Sequence, residues 1–168
     1  MRPFCLEFLE EMSKIFEVYI FTASNQYYAK SIIDFLDPEA KYISGILDRT
    51  KCLKTKNGFF IKDLRIIKNR EMKNMIIVDN LAHSFGFQIN NGVPILEWHD
   101  SFKDQELFYL KNYLTEAAEA EDVREFNRNR LKLDDMKNMM KEDLHIWRYR
   151  RLIKFFIDRV FFLESNEC

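Results

Sequence analysis

Apolar residues first recur at Cys5, Leu9, Met12 and Phe16, spacings of four, three and four that lay one stripe along a core-facing helix. Pro3 suits the first turn of that helix, where a missing N–H costs nothing, and the helix is expected to run to about Ile15. The spacing then collapses. Val18, Tyr19, Ile20 and Phe21 are nearly continuous and β-prone, as in a parallel strand covered on both faces. Thr22 and Ser24 make its end polar, and either Ser24 or Asn25 can cap the helix "QYYAKSIIDFL". Asp37-Pro38 ends that helix, because the residue before a proline is pushed out of the helical region.

Between Lys41 and Lys62 the pattern breaks into "KYISGILDRT" and "GFFIK", separated by "KTKNG", whose Asn57-Gly58 signals a hairpin. A small antiparallel insertion is expected there. After "DLRIIKNREMK" come the strand "NMIIVDN", a short strand near "GVPIL" and a helix through "DQELFYLKNYL". Helices alternating with apolar strands predict an open, doubly wound α/β sheet. From Asp122 onward the pattern is helical, with no Gly or Pro, and no repeat or Ser/Gly-rich linker appears.

Composition narrows the class. The 168 residues, 47% apolar, suffice for one compact domain with a sizeable core plus an extension. A net charge of -1 gives no sign of nucleic-acid capture, and the 16 Phe residues read as core. Cys5, Cys52 and Cys168 lack the spacing of a zinc site or a disulfide framework, which points to a reducing compartment. No run reaches the roughly 18 apolar residues of a membrane span, and "MRPFCLEFLEEM" lacks the apolar core of a signal peptide. A soluble, intracellular protein is expected.

In an open α/β sheet, ligands sit beyond the carboxyl ends of the strands, and here those ends carry Thr22, Ser24, Asp79 and Asn80. A hydroxyl beside a helix N-terminus suits a phosphate, since unpaired amides and the helix dipole both favour an anion. A carboxylate and an amide carbonyl suit a hard cation such as Mg²⁺. Lys62 can balance phosphoryl charge. Each feature alone is an ordinary turn or strand end; their order along the chain gives them weight.

Together, "RPFCLEFLEEMSKIFEVYIFTASNQYYAKSIIDFLDP", "DRTKC", "GFFIKDL", "IIVDN", "NNGVPI" and "DQEL" resemble the HAD-superfamily small phosphatases that act on the RNA polymerase II C-terminal domain, and their Dullard-like relatives. The resemblance covers Arg2 to about Arg124. It implies a Mg²⁺-dependent protein serine/threonine phosphatase on a Rossmann-like sheet with a small β insertion, acting on a phosphoprotein or phosphopeptide. In that frame Thr22 hydrogen-bonds the phosphoryl group, Ser24 assists, Lys62 balances its charge, Asp79 and Asn80 hold the metal, and Arg49 lies near the phosphopeptide. Residues 1–126 would form the HAD-like domain and 127–168 a helical C-terminal extension.

Family members open with an apolar strand ending in D-x-D-x-[TV], whose first Asp attacks phosphorus and whose second is general acid/base. This sequence contains no such motif. By the resemblance that strand is central in the sheet, between those of "YIFT" and "IIVD". Either it precedes Met1 in a longer protein, the expectation preferred here, or the C-terminal extension, another chain or a rearranged sheet takes its place. The functional expectation is a phosphatase family member inactive as written. The alternative is a non-catalytic binding module, including a mitochondrial import translocase-like subunit. The setting is accordingly cytoplasmic or nuclear, with mitochondrial as the alternative. His83, His99 and Cys52 read as structural or surface residues. The cationic, aromatic tail "HIWRYRRLIKFFIDRVFFL" reads as a helix packed on its own domain or on a protein partner.

Overall fold

The computed structural model describes residues 1–135 and 161–165. Helix α1 (Cys5–Ser13) buries Cys5, Phe8, Leu9 and Met12, the face its spacing predicts. It closes slightly early, because the N–H groups of Lys14 and Ile15 bond the carbonyls of Glu11 and Met12, a tightened last turn. Strand β1 (Phe16–Phe21) follows. Asn25, rather than Ser24, caps helix α2 (Gln26–Leu36), its Oδ1 accepting the Tyr28 N–H at 2.9 Å.

Strand β2 (Ile43–Leu47) lies parallel beside β1, with Ile20 opposite Ile46 and Phe21 opposite Leu47. This corrects the expected insertion at 41–62. Only β3 (Leu53–Lys54) and β4 (Phe60–Ile61) form the antiparallel ribbon. Its turn holds Gly58 at a φ of 83°, open to glycine without strain. The "ISGIL" segment joins the main sheet because the α2 crossover returns it to the free edge of β1.

All five residues of β5 (Met75–Asp79) are buried, and β6 (Gly92–Pro94) runs parallel to it. Gly92 is forced by a close approach, since a Cβ there would lie 2.1 Å from the Phe85 ring. Helices α3 (Glu106–Ala118) and α4 (Val123–Leu131) complete the helical layer.

Strand β7 (Phe161–Ser165) stands at the centre of the five-stranded sheet, whose order is β2-β1-β7-β5-β6. It is antiparallel to both neighbours, so β1 and β5 point the same way without being hydrogen-bonded to each other. Two expectations are corrected here. The sheet is mixed rather than wholly parallel, and the extension 127–168 is not uniformly helical, since residues 161–165 are extended. The backbone of β1 and β5 explains this: two buried strand edges need partners, and β7 supplies them. Most of the cationic tail, residues 145–160, lies outside the described residues.

Residues alternate strictly across the sheet. Phe16, Val18, Ile76 and Val78 meet α1, α2 and α3 on one face, while Phe21, Met75 and Ile77 meet Leu64 and Phe85 on the other. Helices on both faces were expected. Among the described residues the second face is instead closed by short 3₁₀ turns at Leu64–Ile66, Ala82–Phe85 and Ile89–Asn91.

Asp37 fixes the α2–β2 corner. Its buried carboxylate accepts the N–H groups of Lys41, Tyr42 and Ile43, each at 2.8 Å. Burial alone would raise its pKa, but these three bonds outweigh it and hold the group below the usual carboxylate value. A carboxylate depressed on folding stabilises above its unfolded pKa of about 3.9 and loses that contribution as acid passes through the lower, folded value. Asp37→Asn is therefore expected to lower stability at neutral pH by about 1–3 kcal/mol. Urea denaturation as a function of pH should show the difference from wild type shrinking below about pH 4.

Candidate functional site

Thr22 follows β1 directly and is buried. Its N–H donates to the Leu47 carbonyl at 2.8 Å, which ties it to the end of β2, and its Oγ1 accepts the Ser24 N–H at 3.0 Å. Ser24 is half-buried and leads into the capped N-terminus of α2. The Cys52 thiol donates to the Thr22 carbonyl at 3.6 Å, a packing role matching its structural reading.

Arg49 is fastened to this loop. Its N–H donates to the Ser24 carbonyl at 3.0 Å, its Nε donates to the Ala23 carbonyl, and its guanidinium lies 5.4 Å from the centre of the Phe60 ring. Asp48 shapes the turn Arg49–Lys51 by accepting the Thr50 N–H at 2.8 Å. The ribbon is thereby anchored to the strand end that carries Thr22.

At the end of β5, Lys62 and Asp79 form a salt bridge of 3.1 Å between side chains each only 1% exposed. The Lys62 N–H donates to the Ser84 carbonyl at 2.7 Å, and Asp79 Oδ1 accepts the Leu81 N–H at 2.8 Å. These backbone partners leave no mark in a sequence, because any residue supplies them. Asn80 turns elsewhere. It lines a cavity of about 470 Å³ together with Cys5, Leu36, Val78, Trp98 and His99. His83 is half-buried with its ring 4.9 Å from that of Phe59, and His99 is exposed.

The geometry thus brings together Thr22, Ser24 and Arg49 on one side and Lys62 with Asp79 on the other. Between them, β7 enters the sheet at Phe161, opposite Ile20 and Val78, one register step short of Asp79. Whether Asp79 suits Mg²⁺ turns on its donors. The carboxylate is paired with Lys62, Asn80 lines a cavity that includes neither of them, and among the described residues no cluster of three or more His, Cys, Asp or Glu converges. A dication wanting octahedral oxygen ligands does not fit this donor set by itself.

A mixed α/β sheet with polar strand ends and a small β ribbon tied to one of them is compatible with a HAD-like fold. The description of NLI interacting factor-like phosphatases matches residues 1–124, and the chain belongs to that family. It is 42% identical over 132 residues to CTD small phosphatase-like protein 2 of Dictyostelium discoideum, covering 79% of this chain and 23% of that protein. It is 39% identical over 136 residues to CTD small phosphatase-like protein 3 of Caenorhabditis elegans, covering 80% of this chain and 47% of that one. To the human carboxy-terminal domain RNA polymerase II polypeptide A small phosphatase 1 it is 33% identical over 122 residues, 73% of this chain and 46% of the other. The chain therefore spans between about a quarter and a half of these relatives. Among the described residues no helix is long and apolar enough to cross a membrane.

Proposed function

We infer that this chain is a phosphoprotein-recognising domain of the serine/threonine phosphatase type that binds phosphate-like groups but does not turn them over as this polypeptide. The observation that carries the reading is the fastening of Arg49 to the Ala23 and Ser24 carbonyls, which joins the ribbon to the Thr22 strand end. In this reading the Thr22 hydroxyl and the loop at Ser24 contact phosphoryl oxygens, Arg49 lies beside the peptide and Lys62 supplies positive charge. Asp79 holds Lys62, and with Asn80 it would contribute to the Mg²⁺ site only in a protein that supplies further ligands.

Chemistry needs more. A covalent mechanism requires a carboxylate aimed at phosphorus and an acid for the leaving alkoxide. Asp48 is committed to Thr50, and Asp63 to Arg65 and Gln88, so neither stands ready for these roles. General acid/base help alone is worth roughly 10²- to 10⁴-fold, and without it or a nucleophile the rate falls toward background. A longer protein carrying a D-x-D-x-[TV] strand would be the enzyme, in the cytoplasm or nucleus. The closed Lys62–Asp79 pair favours the second reading, a phosphatase-derived binding module, of which a mitochondrial translocase-like subunit is one form.

The purified protein should not hydrolyse a small aryl phosphate with Mg²⁺ any faster than Asp79→Ala does. Turnover that vanishes in Asp79→Ala would overturn the inactive reading.

A further inference from the structure

Residues 49–73 carry nine Lys or Arg against two Asp or Glu, in a chain whose net charge is -1. Several of these cations are engaged: Lys62 with Asp79, Arg65 with Asp63, Arg70 with Glu17, Lys73 with Glu71. Lys51 and Lys68 form no ion pair with any described residue. Both line one groove of about 540 Å³, together with Arg70. Tyr19, Leu47, Ile66 and Ile67 give it apolar walls, and among the described residues no carboxylate lines it. The volume lies within the roughly 300–1,000 Å³ of ordinary ligand sites.

The groove is coupled to the site edge. Thr50 and Lys51 in its wall belong to the same 3₁₀ turn as Arg49, which is held by the Ala23–Ser24 loop. A chain lying past Thr22 and Arg49 would run on into the groove within a few residues, each extending about 3.3 Å.

We propose that this groove is a docking site for an acidic segment of the partner phosphoprotein, flanking its phosphorylated residue. The proposal rests on the phosphopeptide reading of the neighbouring edge. Charge complementarity selects the occupant: unpaired lysines beside apolar walls attract carboxylates interspersed with apolar side chains. Nucleic acid fits worse, since single strands want a series of aromatic stacking platforms and among the described residues the groove offers one ring, Tyr19, its hydroxyl bonded to Glu17 at 2.7 Å.

Fluorescence anisotropy with a labelled peptide alternating glutamate and leucine, set against its glutamine analogue, tests this directly. The acidic peptide should bind on the order of tenfold more tightly, with an affinity that falls as salt rises. K51E/K68E, checked by thermal melting for an intact fold, should abolish that preference, and K51R/K68R should keep it. Equal binding of the two peptides, or a preference surviving in K51E/K68E, would overturn the docking site. So would a single-stranded oligonucleotide that binds more tightly than the peptide and is lost in the same variant. A phosphoserine form of the acidic peptide separates the two readings. If phosphate adds no affinity while the acid-dependent part remains, the groove stands and the phosphate-binding edge falls.

Discussion

Cutting the chain after Val160 is expected to abolish cooperative unfolding altogether. Strand β7 pairs with five residues of β1 and four of β5, and no other strand among the described residues joins these two. Val18, Phe21, Met75, Ile76 and Ile77 are fully buried, so the edges β7 leaves behind do not open freely to water. Each buried, unpaired backbone group costs about 1–3 kcal/mol, and a handful of them equals the whole stability of a typical domain, about 5–15 kcal/mol. Far-ultraviolet signal from the helices can persist while the thermal transition broadens or disappears. Phe162→Pro is a gentler version, removing one ladder donor in a central strand where proline is not accommodated, with an expected cost of about 3 kcal/mol or more. A truncated protein that melts as sharply and at the same temperature as the full chain would show that β7 does not hold the sheet together.

Lys62→Met is expected to cost about 3–5 kcal/mol, because it leaves the Asp79 carboxylate buried without its counter-charge. Among the described residues only the Leu81 N–H remains on the Asp79 carboxylate to offset the desolvation. The double variant Lys62→Met/Asp79→Leu should recover most of the loss, since removing both charges removes the desolvation penalty along with the attraction. Urea denaturation of the two variants decides the point. A double variant as unstable as the single one would mean that Lys62 supports the fold chiefly through its packing and not through Asp79.

Much of this was readable from residue order, for identifiable reasons. The continuous apolar runs at Val18–Phe21 and Met75–Val78 announce strands buried on both faces, and Asn57-Gly58 announces the ribbon turn. Thr22, Arg49, Lys62 and Asp79 stand out through their order in the chain. Strand β2 misled because Ser44 and Gly45 interrupt its apolar pattern and most of it is only half-buried, so it resembles an insertion more than a sheet member. Strand β7 misled because its short apolar run follows a long stretch of helical character, and so few residues cannot declare a period. The Lys62–Asp79 pair spans 17 residues between two different elements, and only the folded sheet brings them together. The groove left a trace that composition averaged over the whole chain conceals: the basic excess of 49–73 is cancelled by acidic residues elsewhere.

The central position of β7 also governs how this chain reaches its native state. Its register sets Phe16 against Ser165, nearly the full length of the polypeptide apart. The units β1-α2-β2 and β5-β6 can each form from near neighbours, and among the described strands it is β7 that joins them. Loop closure over such a separation must precede any reward from the contacts it makes, which places sheet completion late and makes it slow. Until then each unit displays an apolar strand edge that matches the other, and equally matches the corresponding edge of a neighbouring molecule. Until β7 docks, this polypeptide therefore holds two half-sheets, the state in which it depends most on dilution or on a chaperone.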